Sequence, residues 1–108
     1  MAIEWITKQN NKADVTIKHG ISKGKVRVYI TFRNDVWKKI TETGYLKVGV
    51  DGNRAYFCQG LTQNDFKVTI KGDCNNGYVR LHTDLLDGFD GDYTLERDYN
   101  TKLRFIRK

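Results

Sequence analysis

Val15 to Val28, VTIKHGISKGKVRV, recurs 53 positions later as Val68 to Leu81, VTIKGDCNNGYVRL. The ungapped match carries seven identities in fourteen positions: Val15/Val68, Thr16/Thr69, Ile17/Ile70, Lys18/Lys71, Gly24/Gly77, Val26/Val79 and Arg27/Arg80. Val28/Leu81 is a conservative eighth match. The shared residues are an apolar strand, a glycine closing a turn and a second strand, the framework of one hairpin. A period of this size marks a repeated supersecondary unit. Farther along, the repeat resumes with an offset of 47, pairing Gly44 with Gly91, Asp51 with Asp98 and Asn53 with Asn100, so a six-residue deletion falls after the second strand. In 108 residues, half-modules of about 50 residues each bury too little surface to stand alone, so the copies are expected to share one core in a single domain.

Hydrophobic periodicity gives each copy the order strand, strand, helix, strand, strand, a mainly β fold with short helices. Residues 1–12 read as an N-terminal strand and loop, with Ile3, Trp5 and Ile6 followed by a polar run from Lys8 to Lys12. Repeat one covers 13–60. Asp14 to Lys18 alternates as a strand, HGISKG turns the chain, and Lys25 to Phe32 alternates again. In that second strand Val26, Val28, Ile30 and Phe32 share the core face, leaving Lys25, Arg27, Tyr29, Thr31 and Arg33 on the other. NDVWKKITETG predicts a short helix ended by Gly44, and Asp51-Gly52 a tight turn between two further strands. A connector, 61–65, leads to repeat two, 66–108. There GDCNNG is the turn, TDLLDGF a shortened helix, and Asp92 to Tyr99 and Lys102 to Arg107 the last strands.

A formal charge of +6 and a pI near 9.4 favour nucleic acid, an acidic protein or an anionic surface as partner. The first residues lack the apolar run of a signal sequence and no later stretch approaches membrane-spanning length, so a cytoplasmic location is expected. Cys58 and Cys74 stand singly without CxxC spacing, which suggests free thiols and neither a zinc site nor a redox pair.

Catalysis has little to build on. His19 and His82 occupy non-equivalent positions of the repeat, and no phosphate loop, HExxH, GxSxG or Cys-His arrangement occurs. Asp84, Asp87, Asp90 and Asp92 do not have the spacing of an EF-hand and read as turn-forming and capping residues. The expectation is a non-enzyme with no metal and no cofactor.

The basic and aromatic strand face is the strongest functional candidate. Lys25, Arg27, Tyr29 and Arg33 fall on one side of one strand, and Arg80 with His82 repeats part of the pattern. Alternating cations on a strand can hold phosphates, and a tyrosine between them can stack or hydrogen-bond. The plainer alternative is a solvated sheet face with Arg27 and Arg80 paired to carboxylates. Arg104, Arg107 and Lys108 form a second basic patch, which would merge with the first should the last strand lie beside the first hairpin.

GYVRLHTDLLDGFDGDYTLERDYNTKLRFI in the second copy, with ITFRNDVWKKI and YLKVGVDGNRAYF in the first, resembles the swapped-hairpin module of AbrB-like regulators. The tandem arrangement over residues 13–108 is similar to MraZ-like proteins. The resemblance implies two interdigitated hairpin modules in one barrel-like pseudo-dimer, a monomer or a further homodimer, that binds duplex DNA in transcription regulation. By that resemblance Lys25, Arg27, Lys38 and Arg80 would position the DNA backbone, with Arg33 available to read a base. The family's proline at the strand-to-helix junction is absent, and its arginine after the hairpin glycine is Lys25 in one copy and Tyr78 in the other. Those departures, with aromatic residues at Trp5, Tyr29, Trp37, Tyr45, Tyr56 and Tyr78, motivate a second expectation: an interaction or inhibitor domain of a mobile element that binds an acidic protein.

Overall fold

In the computed structural model, which describes residues 2–3, 13–33, 36–71, 76–101 and 103–108, the first hairpin is the longest element. β1 (Val15–Ser22) and β2 (Lys25–Phe32) pair antiparallel from Val15↔Phe32 to Ser22↔Lys25. Only Lys23 and Gly24 connect them, at φ 52° and 76°. Two successive left-handed residues make the turn whose twist matches that of the flanking strands, so the strands run unbroken to the tip. The expected six-residue loop HGISKG is therefore mostly strand.

Eight further strands follow: β3 (Tyr45–Asp51), β4 (Arg54–Gln59), β5 (Phe66–Lys67), β6 (Thr69–Lys71), β7 (Asn76–Leu81), β8 (Gly91–Tyr93), β9 (Glu96–Arg97) and β10 (Arg104–Arg107). They form two five-stranded antiparallel sheets, ordered β6-β7-β2-β1-β8 and β5-β3-β4-β10-β9. Neither sheet closes on itself. Chain continuity instead joins their edges at two corners, one where β5 passes into β6 through buried Val68, the other where β8 passes into β9. At the first corner the Val68 N–H donates to Gly44 O at 2.8 Å. At the second, Asp14 N–H donates to Tyr93 O and its carboxylate accepts the Leu95 N–H, both at 2.9 Å.

With the two copies aligned, corresponding strands have corresponding neighbours, although the residue register differs between the copies. β1–β2 corresponds to β6–β7, β1–β8 to β5–β3, and β3–β4 to β9–β10. β2–β7 and β4–β10 each join a strand to its own counterpart. In the first of these Val28 pairs with Leu81, its equivalent in the repeat.

The core lies between the sheets. Val15, Ile17, Val28, Ile30, Phe32, Val79 and Leu81 come from the first, and Leu46, Ala55, Phe57 and Ile106 from the second. Phe32 meets Phe57 edge-to-face across the gap, with centroids 5.3 Å apart at 84°. Each large side chain taken out of water here contributes about 1.5–3 kcal/mol.

Both expected helices shrink. Val36–Lys39 is a single 3-10 turn packing Val36 and, just beyond it, Ile40; Asn34 and Asp35, with which the expected helix begins, lie outside the described residues. TDLLDGF is a pair of turns, Asp87 N–H to Asp84 O and Phe89 N–H to Leu86 O, with Gly88 at φ 80°. Leu86 and Phe89 are buried, so this segment plugs the core as a loop, where the six-residue deletion leaves no length for a helix. The last two expected strands are also reduced. Asp92 to Tyr99 is divided between β8 and β9, and the strand expected from Lys102 begins at Arg104. Gly77 does not close a turn: it lies within β7 opposite Phe32, and the expected GDCNNG turn and Cys74 fall largely or wholly outside the described residues. The N-terminal strand over 1–12, with Trp5, also falls outside them save for residues 2 and 3. No helix among the described residues is long and apolar enough to cross a membrane.

Candidate functional site

Alternation along three central strands turns one set of side chains away from the core. β2 presents Lys25, Arg27, Tyr29 and Thr31, with Arg33 next in line; β7 adds Asn76, Tyr78 and Arg80; β1 adds Thr16, Lys18 and Gly20. Register sorts them into rows across the sheet. Arg80, Tyr29 and Lys18 form one row, Tyr78, Thr31 and Thr16 the next, and Arg27 faces Gly20 toward the hairpin tip. Lys18, Lys25 and Arg80 are exposed, while Arg27, Arg33, Tyr29 and Tyr78 are half-buried. Thr16, Lys18, Tyr29, Thr31, Arg33 and Tyr78 line an open cavity of about 540 Å³ on this face.

Four of the five anticipated residues, Lys25, Arg27, Arg33 and Arg80, thus come together, and Lys18 makes a fifth cation. Lys18 was legible: it is one of the repeat identities and alternates with core-facing Val15 and Ile17. Tyr78 was legible as an outward residue of β7 once Val79 and Leu81 are placed inward. Lys38 does not join them. Its ammonium lies 5.6 Å from the centroid of the Trp37 ring, and that ring abuts Gly77 on the core-facing side of β7. The C-terminal cations stay apart as well. β10 lies beside β4 in the second sheet, and Arg107 makes a two-pronged bond to Glu96 at 2.7 and 2.6 Å that lowers the Glu96 pKa and raises that of Arg107.

Neither Arg27 nor Arg80 has a carboxylate partner among the described residues. Arg27 Nε is shielded from solvent without a hydrogen-bond acceptor. A buried N–H left unpaired costs about 1–3 kcal/mol, which an incoming anion could offset. Among the described residues an acid reaches this face at its margin, where Thr16 Oγ1 donates to Asp92 Oδ1 at 2.6 Å from edge strand β8. The Tyr29 ring lies against Gly20. A Cβ on Gly20 would lie 3.2 Å from Tyr29 Cε2.

His19 and His82 are both structural. His19 Nδ1 meets Asp90 and its Nε2 lies 3.5 Å from Asp87, tying β1 to the loop that plugs the core. His82 Nδ1, just past the end of β7, is 3.0 Å from Val26 O on the adjacent strand β2. No group of three or more His, Cys, Asp and Glu side chains that could hold a metal occurs among the described residues.

No protein-family model, curated protein or solved structure matches the chain.

Proposed function

We propose that the protein is a nucleic-acid-binding module without catalytic activity, which holds phosphates on the outer face of its first sheet. The observation that carries this is the gathering of Lys18, Lys25, Arg27, Arg33 and Arg80 on one continuous face, with Arg27 and Arg80 unpaired by described carboxylates. The same reading takes the corresponding strand pairings as a tandem duplication, a fused pseudo-dimer of interdigitated hairpins of the AbrB-like kind. Lys25, Arg27 and Arg80 position the backbone and Arg33 reaches a base edge. A regulatory role on duplex DNA is what the resemblance implies, with a cytoplasmic location taken from the sequence's want of a signal-like apolar run. The face by itself asks only for a chain of phosphates.

Fluorescence anisotropy with labelled oligonucleotides across a salt series tests it. Binding should weaken linearly in log–log form with salt, and Arg27→Ala/Arg80→Ala should lose about two counterions' worth of slope. Lys38→Ala, off the face, should keep the slope. No binding at low salt, or an unchanged slope in the double variant, would sink the reading.

One observation favours a second reading, an acidic protein partner. Ile21 and Val26 pair across the hairpin tip at 80% and 59% exposure, beside exposed Lys23 and Lys25. An apolar pair ringed by cations suits a salt-tolerant protein contact. Such binding would be lost in Ile21→Ser/Val26→Ser and survive Arg27→Ala/Arg80→Ala.

A further inference from the structure

Cations account for the charge attraction to phosphate, to which the neutral Tyr29 and Tyr78 rings do not contribute. Both tyrosines lie on the outer face, Tyr29 against Gly20 and Tyr78 in one row with Thr31 and Thr16. Tyr29 is flanked in its own row by Arg80 on one side and Lys18 on the other. Because Arg80 faces Tyr29 and Thr31 faces Tyr78, the two tyrosines are diagonal neighbours on adjacent strands. Residues so placed are about 7–8 Å apart. Bases in a duplex are stacked at about 3.4 Å along each strand and offer no free faces within it. An extended single strand offers both the wider spacing and the exposed base faces, and every base can stack on an aromatic ring.

We propose that this face binds single-stranded nucleic acid, with two successive bases stacked on Tyr29 and Tyr78 and the phosphates between and beside them held by Lys18, Arg33 and Arg80. The proposal rests on the nucleic-acid reading above and departs from the duplex target that the AbrB-like resemblance implies. The 540 Å³ cavity lined by both tyrosines together with Lys18, Arg33, Thr16 and Thr31 is where the intervening sugar and phosphate sit. Because the contacts are to base faces and backbone, sequence preference is weak.

The test uses the full chain with two probes at matched salt, a single-stranded thymidine oligonucleotide longer than about 16 nucleotides and a random-sequence duplex of the same length. The single strand should bind at least about tenfold tighter, and Tyr29→Leu/Tyr78→Leu should reduce that binding about tenfold or more without changing its salt slope. Tyr29→Phe/Tyr78→Phe, which keeps the rings, should restore it. Tighter duplex binding, or equal binding to both probes, would overturn the single-strand proposal and leave the nucleic-acid reading standing. Failure to bind either probe at low salt would remove both. Should the leucine variant fold poorly by circular dichroism, the two-probe comparison on the unaltered protein and the phenylalanine variant still decide.

Discussion

The two hairpins share half of their residues over fourteen positions, yet they are built differently. In the first, β1 and β2 run eight residues each and Gly24 sits in the turn at φ 76°. In the second, β6 has three residues and Gly77 lies inside β7 beneath Trp37. The first pairing joins Thr16 to Thr31, whereas the second joins Thr69, the equivalent of Thr16, to Tyr78, the equivalent of Lys25. Identical residues therefore meet different fates. Ile17 is fully buried and Ile70 is 48% exposed. The cause is position in the sheet. β1 is flanked by β2 and β8, whereas β6 is the sheet's last strand. Local sequence selects strand and face; the neighbours decide length, register and burial.

The sharpest way to break this comparison is to truncate the matched isoleucines. Ile17→Ala should cost about 2–5 kcal/mol, as for other buried large-to-small changes, and Ile70→Ala less than about 1 kcal/mol. Chemical denaturation of both variants reads the difference. Equal costs would mean that the two strands share one environment and that the register difference is wrong. Next in size come the matched glycines. A Cβ at Gly77 would stand 2.6 Å from both Trp37 Cδ1 and Val68 Cγ1, so Gly77→Ala should cost about 1–3 kcal/mol by overpacking. Around Gly24 there is open space, and Gly24→Ala should cost about 1 kcal/mol through its left-handed backbone alone. D-alanine at Gly24, whose left-handed backbone suits it, should recover most of that cost and so identify backbone strain as its cause.

Much of this was legible in the sequence. Alternation placed Val26, Val28, Ile30 and Phe32 on one face of β2 and Lys25, Arg27, Tyr29 and Arg33 on the other, because a strand's period of two depends only on the chain itself. Val26, at the hairpin tip, is nonetheless 59% exposed, since the core ends before it. That the copied arginines would lie on one continuous face was not legible. It follows from β2 pairing with β7, a contact between residues about fifty positions apart. The helices failed for a related reason. Val36, Trp37 and Ile40 have helical spacing, but a short apolar stripe is equally served by a single turn that docks on the sheet, and Leu86 and Phe89 reach the core from a loop. Lys38 was expected on the face only through the AbrB-like resemblance; on a 3-10 turn at the core-facing side, with its ammonium by the Trp37 ring, it points elsewhere.

The smallest expected effect concerns the aspartates that the second offset pairs, Asp51 and Asp98. Asp51 closes a hairpin in which only Gly52 and Asn53 lie between β3 and β4, with Gly52 at φ 61°. In the second copy the chain takes six residues to pass from β9 to β10, and Asp98 organises that longer turn. Its carboxylate accepts the N–H groups of Asn100 at 2.9 Å and Thr101 at 3.4 Å, while its own N–H donates to Leu103 O at 2.8 Å. The bond from the Asn100 N–H, followed by those from Thr101 and the charge of Arg54, holds the Asp98 pKa below its ordinary value. A carboxyl whose pKa is lowered on folding stabilises the fold above its unfolded pKa and loses that contribution as pH falls through the lowered value. Asp98→Asn should therefore lower the melting temperature modestly at neutral pH, and the gap from the unaltered protein should close as pH falls below about 4. A gap that stays constant down to strong acid would mean that the side chain acts by shape alone. The longer turn would then be held, like its two-residue counterpart, by backbone geometry.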